Sequence, residues 1–329
     1  MGRVGGSMIG NRAAAILRSG PTQEAKKLEN LIRNATRVVE TLGEMRGAAM
    51  KIGQMLSLQE GFLPPEVHRI LQALQAKAPQ VPSEVMRYEV EGALGGTIED
   101  LFLEFDSEAH AAASIGQVHR ARLHDGRRVA VKVQYPLIRE VVTADLANLK
   151  ILMKSLFSMV FDTDFEPLWV EMRDRLLEEL DYEHEANVLQ RFRNLHRDVA
   201  EIVIPEVIDE FSSNRVLTMA FEEGLTPDEA CSHSSEVLRD RWGAALLEFQ
   251  LRGLLEHRLL HADPNLANFA FRTDGKVVVF DFGSVKEVPR DLARAYARIL
   301  LTGLEDRWEA TPEALAGLGL TRADGSPLD

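Results

Sequence analysis

Apolar residues recur at three- and four-residue steps early in the chain. Leu28, Leu31, Ile32, Ala35, Val38, Val39, Leu42, Met45, Ala49, Ile52 and Met55 share one face and predict a long amphipathic helix over residues 24–58. Gly61 and the Pro64–Pro65 pair end it, a second helix is expected from Pro65, and a third from an N-cap at Ser83 to Leu94, before Gly95–Gly96. The period then shortens to two. Leu101–Phe105 reads as a strand, the small residues from Ala111 to Gly116 as a loop, and Gln117–Leu123 and Arg127–Gln134 as strands joined by the hairpin pair Asp125–Gly126. In the second strand Val129, Val131 and Val133 face one way, and Ala130 and Lys132 the other. Helical spacing returns from 138 to 195 and from 234 to 259. Between them Ile202–Ile208 and Val216–Phe221 read as strands, with a hinge at Phe221–Gly224. A polar loop, His261–Asn268, leads into a hairpin of Phe269–Arg272 and Val277–Phe280 around Asp274–Gly275, and a helical region covers 290–318. A small sheet, then helices, then a hairpin bearing acids is an α+β, bilobal order.

The 329 residues allow two modest domains or one bilobal fold. Acidic residues outnumber basic ones 51 to 38, a formal charge of −13, which argues against a nucleic-acid binder because little is available to displace counterions from a phosphate backbone. A single cysteine, Cys231, excludes an intramolecular disulfide and any multi-thiolate metal site. The apolar runs are too short to span a bilayer, so a cytoplasmic location is expected, with peripheral membrane contact as its variant. Residues 1–23 hold Arg3, Arg12 and Arg18 and no acid before Glu24; they are expected as a flexible tail, with a targeting segment as the other reading.

The chemistry concentrates in a few places. Asp263 and Asn268 in the polar loop have the separation of the base and the metal-binding asparagine of a kinase catalytic loop, and Asp281–Phe282–Gly283 follows an apolar strand. Asn268 and Asp281 offer the hard oxygen ligands that magnesium and a triphosphate require, and an aspartate near a hydroxyl can orient it or take its proton. Lys132 sits mid-strand, one strand after the small-residue loop, where a kinase holds nucleotide phosphates; it needs a carboxylate partner, and Glu185 is the candidate. Lys51 and Gln54 share one helical face with Gly53 between them. Glu179 and Asp181 are two apart and cannot share a face of one regular helix, so either a helix begins near them or only one reaches Lys51. Thr311–Pro312–Glu313 reads as an N-cap, a first-turn proline and a first-turn acid.

Lys51-Ile52-Gly53-Gln54, the run Ala111 to His119, Glu179 to Ala186, and the two motifs at 261–268 and 281–283 occur in that order. Together they resemble the ABC1/UbiB (AarF, ADCK/COQ8) family of atypical protein-kinase-like proteins, over about residues 25–310. The resemblance implies a bilobal protein-kinase-like fold with an N-terminal helical extension packed over the nucleotide cleft and a short helical C-lobe. The corresponding division is a tail at 1–23, the extension at 24–96, a kinase-like N-lobe at 97–222 and a C-lobe at 223–329, minimal or cut short. It further implies that Lys132 holds the phosphates of ATP or ADP and pairs with Glu185. Ala111, Ala112, Ala113 and Ser114 replace a glycine-rich loop, Asp263 is the catalytic-loop acid, and Asn268 and Asp281 bind Mg²⁺. Lys51 and Gln54 form a KxGQ motif obstructing the peptide groove, held by Glu179 and Asp181. The implied role is an atypical kinase or ATPase supporting ubiquinone-type biosynthesis, with a lipid or isoprenoid as effector or substrate. Two rivals stand beside it: a small-molecule phosphotransferase similar to choline and aminoglycoside kinases, and a nucleotide-gated scaffold without turnover.

Overall fold

The computed structural model describes residues 81–113, 115–160, 164–263, 265–322 and 324–328. The tail at 1–23, the helix at 24–58 with Lys51, Gly53 and Gln54, the helix from Pro65, and Ser114 lie outside the described residues.

The described chain opens with α1, Ser83–Leu94. Its N-cap is Pro82 and not Ser83, which is already helical; the Pro82 carbonyl accepts the N–H groups of Val85 and Met86 at 3.1 and 3.3 Å. Leu101–Phe105 is not one strand either. Thr97 Oγ1 accepts the Asp100 N–H at 3.2 Å and starts a helical turn, α2 at Ile98–Leu101, whose first-turn acids Glu99 and Asp100 suit a helix N-terminus. Only Glu104–Phe105 remains as strand β1. The alanines expected in a loop form β2, Ala111–Ala112, by pairing with Val118 and Gln117. The hairpin of β3, Gly116–Arg122, and β4, Arg128–Gln134, forms as the sequence predicts, with Gly126 at φ 89 in its turn.

Helices α3 (Ile138–Val160), α4 (Glu166–Glu178) and α5 (Tyr182–Leu195) follow. The strand expected over Ile202–Ile208 is cut to β5, Ile202–Val203. Pro205 has no N–H to give a ladder, and beyond it Val207 bridges to Met219 in a different sheet. Strand β6, Val216–Ala220, pairs with β4, so the first sheet runs β1-β3-β4-β6 with β2 also on β3, all antiparallel. Val129, Val131 and Val133 of β4 join Met86 and Val90 of α1, with Phe102, Leu123 and Val216, in one buried cluster. Each such aliphatic side chain contributes about 1.5–3 kcal/mol on burial. Beyond α6 (Pro227–Cys231), α7 (Glu236–Leu251) and β7 (Leu259–His261), the second predicted hairpin appears as β8, Phe269–Phe271, and β9, Val277–Val279, with β5 parallel to β9.

The chain divides into two compact units, one containing the stretch to His233 with Asn265–Ser284, the other Ser234–Pro264 with Val285–Asp329. In the second, α7 passes into a π-helical turn at Arg252–His257, and β10, Val285–Glu287, pairs with β7. Helices α8, Arg290–Leu304, and α9, Thr311–Ala316, complete it. Thr311 does not cap α9: a 3₁₀ turn at Trp308–Ala310 runs directly into the helix, so Thr311 is itself helical at φ −60, ψ −44. No helix among the described residues is long and apolar enough to cross a membrane.

Candidate functional site

Strand alternation places Lys132. With its valine neighbours committed to the core cluster, the intervening lysine emerges on the opposite face of β4. It is nevertheless buried, its side chain 10% exposed, and Nζ donates to Glu185 Oε1 at 2.7 Å, Glu185 Oε2 at 2.9 Å and Asp281 Oδ2 at 3.2 Å. The pairing of Lys132 with Glu185 is the one the sequence anticipates. The arrival of Asp281 at the same ammonium joins the 281–283 motif to it.

Glu185 is delivered by the start of α5. Asp181 is the N-cap, its Oδ1 accepting the His184 N–H at 3.0 Å, and Tyr182, Glu185, Ala186, Leu189 and Phe192 form the buried face that follows. The question left open by the two-residue spacing of Glu179 and Asp181 resolves here: a helix does begin between them. Glu179 closes α4 and lies against the 281–283 segment, where a Cβ on Gly283 would stand 3.6 Å from its Cγ. The link between α4 and α5 is pinned from the end of β4 and the start of α3, because the Leu180 carbonyl accepts from Gln134 Nε2 at 3.0 Å and from Arg139 Nη2 at 2.6 Å.

Asp281 is held as firmly. Its Oδ1 accepts the Gly283 N–H at 2.9 Å, Phe282 is buried with its ring 4.9 Å from that of Phe192 on α5, and Arg175 of α4 donates to Ser284 Oγ at 2.7 Å. Asn268 ends the 3₁₀ turn Leu266–Asn268, which Asn265 caps, and its carbonyl accepts the Phe280 N–H at 3.0 Å. Asn268 and Asp281 thus flank the open end of the β8–β9 hairpin. Asp263 belongs to the other unit, half-buried just past β7. Ala111 and Ala112 are exposed on β2, and Ala113 follows them, its N–H donating to the Gly116 carbonyl at 2.9 Å.

Two residues of the site lie inside the quoted motifs but were assigned no role of their own from the sequence. Tyr182 lies under the ammonium, Lys132 Nζ being 5.0 Å from its ring centroid. Gly116 permits a close backbone approach, since a Cβ there would sit 2.1 Å from the Val133 carbonyl oxygen. An aromatic three residues before Glu185 on the same helical face was the available clue to the first; the second depends on strand pairing.

The electrostatics follow from burial and from the carboxylates. Burial alone would lower the Lys132 ammonium, but Asp281 and Glu185 outweigh it and hold the group well above the usual lysine range. Burial pushes Glu185 up to about 7, with Lys132 opposing and Asp281 adding to the rise. Burial likewise raises the Tyr182 phenol far beyond its ordinary range. A buried ion pair adds little net stability, because desolvating both charges offsets most of the attraction. What it does secure is the placement of one permanent positive charge. The oxygen donors of Asp281 and Asn268 fit a hard divalent ion such as magnesium, and the fixed ammonium fits phosphate oxygens.

Residues 73–314 match the ABC1 atypical kinase-like domain. Over 274 residues the chain is 37% identical to the mitochondrial atypical kinase coq-8 of Caenorhabditis elegans, an overlap of 81% of this chain and 36% of that protein. Over 271 residues it is 36% identical to the mitochondrial atypical kinase COQ8B of Danio rerio, covering 81% of this chain and 43% of the other. The chain therefore spans less than half the length of these curated relatives. A Mycobacterium tuberculosis protein solved in complex with erythromycin superposes with a TM-score of 0.63 at 30% identity, over 89% of this chain and 75% of that one.

Proposed function

The chain belongs to the ABC1 atypical kinase-like family, a kinase and phosphotransferase class with a kinase-like fold, and from that membership we propose that it binds a magnesium-complexed adenine nucleotide and transfers or hydrolyses its terminal phosphoryl group. The observation that carries this reading is the Lys132 ammonium held at 2.7 and 2.9 Å by Glu185 with Asp281 at 3.2 Å. Lys132 binds the phosphates and Glu185 orients it. Asp281 and Asn268 hold the ion, which when bound neutralises charge on the phosphates. Asp263 orients water or an acceptor hydroxyl and takes its proton. Ala111 to Ser114 cover the nucleotide, and Lys51 and Gln54, held by Glu179 and Asp181, keep peptide substrates away.

Support for a place in ubiquinone-type biosynthesis comes from the COQ8 name of the relatives. A lipid or isoprenoid is the acceptor or effector, met at a membrane surface by peripheral contact. The curated relatives include mitochondrial and chloroplastic proteins. The test is phosphate release by the wild type and Asp281→Asn, with and without detergent-solubilised isoprenoid phenols. We expect magnesium-dependent release that rises with the phenol and falls at least about a hundredfold in the variant. Equal background release throughout would leave a scaffold; release coupled to a small alcohol and indifferent to isoprenoid would leave a small-molecule phosphotransferase.

A further inference from the structure

Of the buried polar groups that the roles above leave unused, one lies beside the Lys132 ammonium. Tyr182 is 1% exposed, and its phenol oxygen is buried without a hydrogen-bond partner among the described residues. An unsatisfied buried hydroxyl lowers stability, and phenylalanine would present Lys132 with the same ring face without that penalty. The hydroxyl is therefore the feature that needs a reason.

Its surroundings define what is missing. Lys132 can only donate, and its three N–H groups already face Glu185 Oε1, Glu185 Oε2 and Asp281 Oδ2. The hydroxyl lies against Gly116, where a Cβ would come within 3.1 Å of the phenol oxygen, at the first residue of β3, directly after the small-residue segment. Burial keeps the phenol protonated, so it is a donor in want of an acceptor. The longest of the three Lys132 bonds, 3.2 Å, goes to the most exposed of the carboxylates, Asp281 at 38%. An anion that took over that N–H would bind the ammonium whose Nζ lies 5.0 Å from the centroid of the Tyr182 ring.

We propose that Tyr182 is a phosphate-contacting residue, its hydroxyl donating to a phosphate oxygen of the nucleoside di- or triphosphate that Lys132 holds. This inference rests on the nucleotide reading above and adds a binding residue to it. Tyr182→Phe in the full chain, followed by calorimetric titration with magnesium ADP and magnesium ATP and by thermal unfolding without nucleotide, tests it. The variant is expected to unfold at the same temperature as wild type or higher, and to bind either nucleotide about tenfold or more weakly, the loss of one hydrogen bond to a charged group. Adenosine, which has no phosphate, should bind both proteins alike. Unchanged nucleotide affinity in the variant would overturn the inference while leaving the nucleotide reading intact. A lower unfolding temperature of the free variant would overturn it too, by showing that the hydroxyl has a partner inside the fold. A wild type that binds neither nucleotide would sink the parent reading and this one with it.

Discussion

Lys132 donates all three of its N–H groups to carboxylates and rests on an aromatic face, so its charge is fixed in place before any ligand arrives. Burial raises the Glu185 carboxyl against the pull of that charge. The group titrates at about 7 in the folded chain against an ordinary value of 4.5. Between those two pH values the folded protein keeps a proton that the unfolded chain has released, so this group's contribution to stability is complete below 4.5 and declines as pH rises through 7. Measured by denaturant unfolding, the stability of wild type relative to Glu185→Gln should fall by up to about 3 kcal/mol between pH 4.5 and pH 8. A difference that stays level across that range would show that Lys132 keeps Glu185 ionised throughout. At this scale the lysine and its acid were legible because a charged residue amid strand valines and an acid in a helix each demand a partner. Tyr182 was not, since an aromatic at the head of an apolar helical face reads as ordinary core.

Helix α5 turns a local signal into a position. Asp181 fixes where the helix starts, and the start fixes which way Glu185 faces one turn later. Asp181→Ala should destabilise the chain by about 1 kcal/mol, lower its unfolding temperature by a few degrees and weaken nucleotide binding, whereas Asp181→Asn, which can still cap, should restore stability. Stability restored with affinity still lost would assign the carboxylate charge a second use, as the expected partner of Lys51. The elements most legible in the chain were the two hairpins, whose Asp-Gly pairs supply residues at φ 89 and 90. Leu101–Phe105 failed as a strand because Thr97 captured the backbone first, and Ile202–Ile208 failed because Pro205 breaks a ladder that apolar composition alone could not reveal.

At the scale of the molecule, the site unites segments that are distant in the chain: Lys132 is 53 residues from Glu185 and 149 from Asp281. The contact between the last pair should be measurable as coupling. In a double-mutant cycle of Lys132→Met and Asp281→Asn, the unfolding free energies should fall short of additivity by about 0.5–3 kcal/mol. Strict additivity would mean that the 3.2 Å bond contributes nothing in solution. Composition, period and turn chemistry were enough to establish an α+β chain with two hairpins and the alternation that lifts Lys132 out of the core, while the order of its motifs carried the resemblance to a family. Those properties are local or nearly so, set by steric limits on a few adjacent residues and by the burial of one face. Only the folded chain decided that Asp281 shares the Lys132 ammonium with Glu185, that Glu179 lies by Gly283 while Asp181 caps α5, and that Tyr182 and Gly116 belong to the site. Those contacts depend on strand register and helix packing between remote segments, where a shift of one residue would turn each side chain to another face.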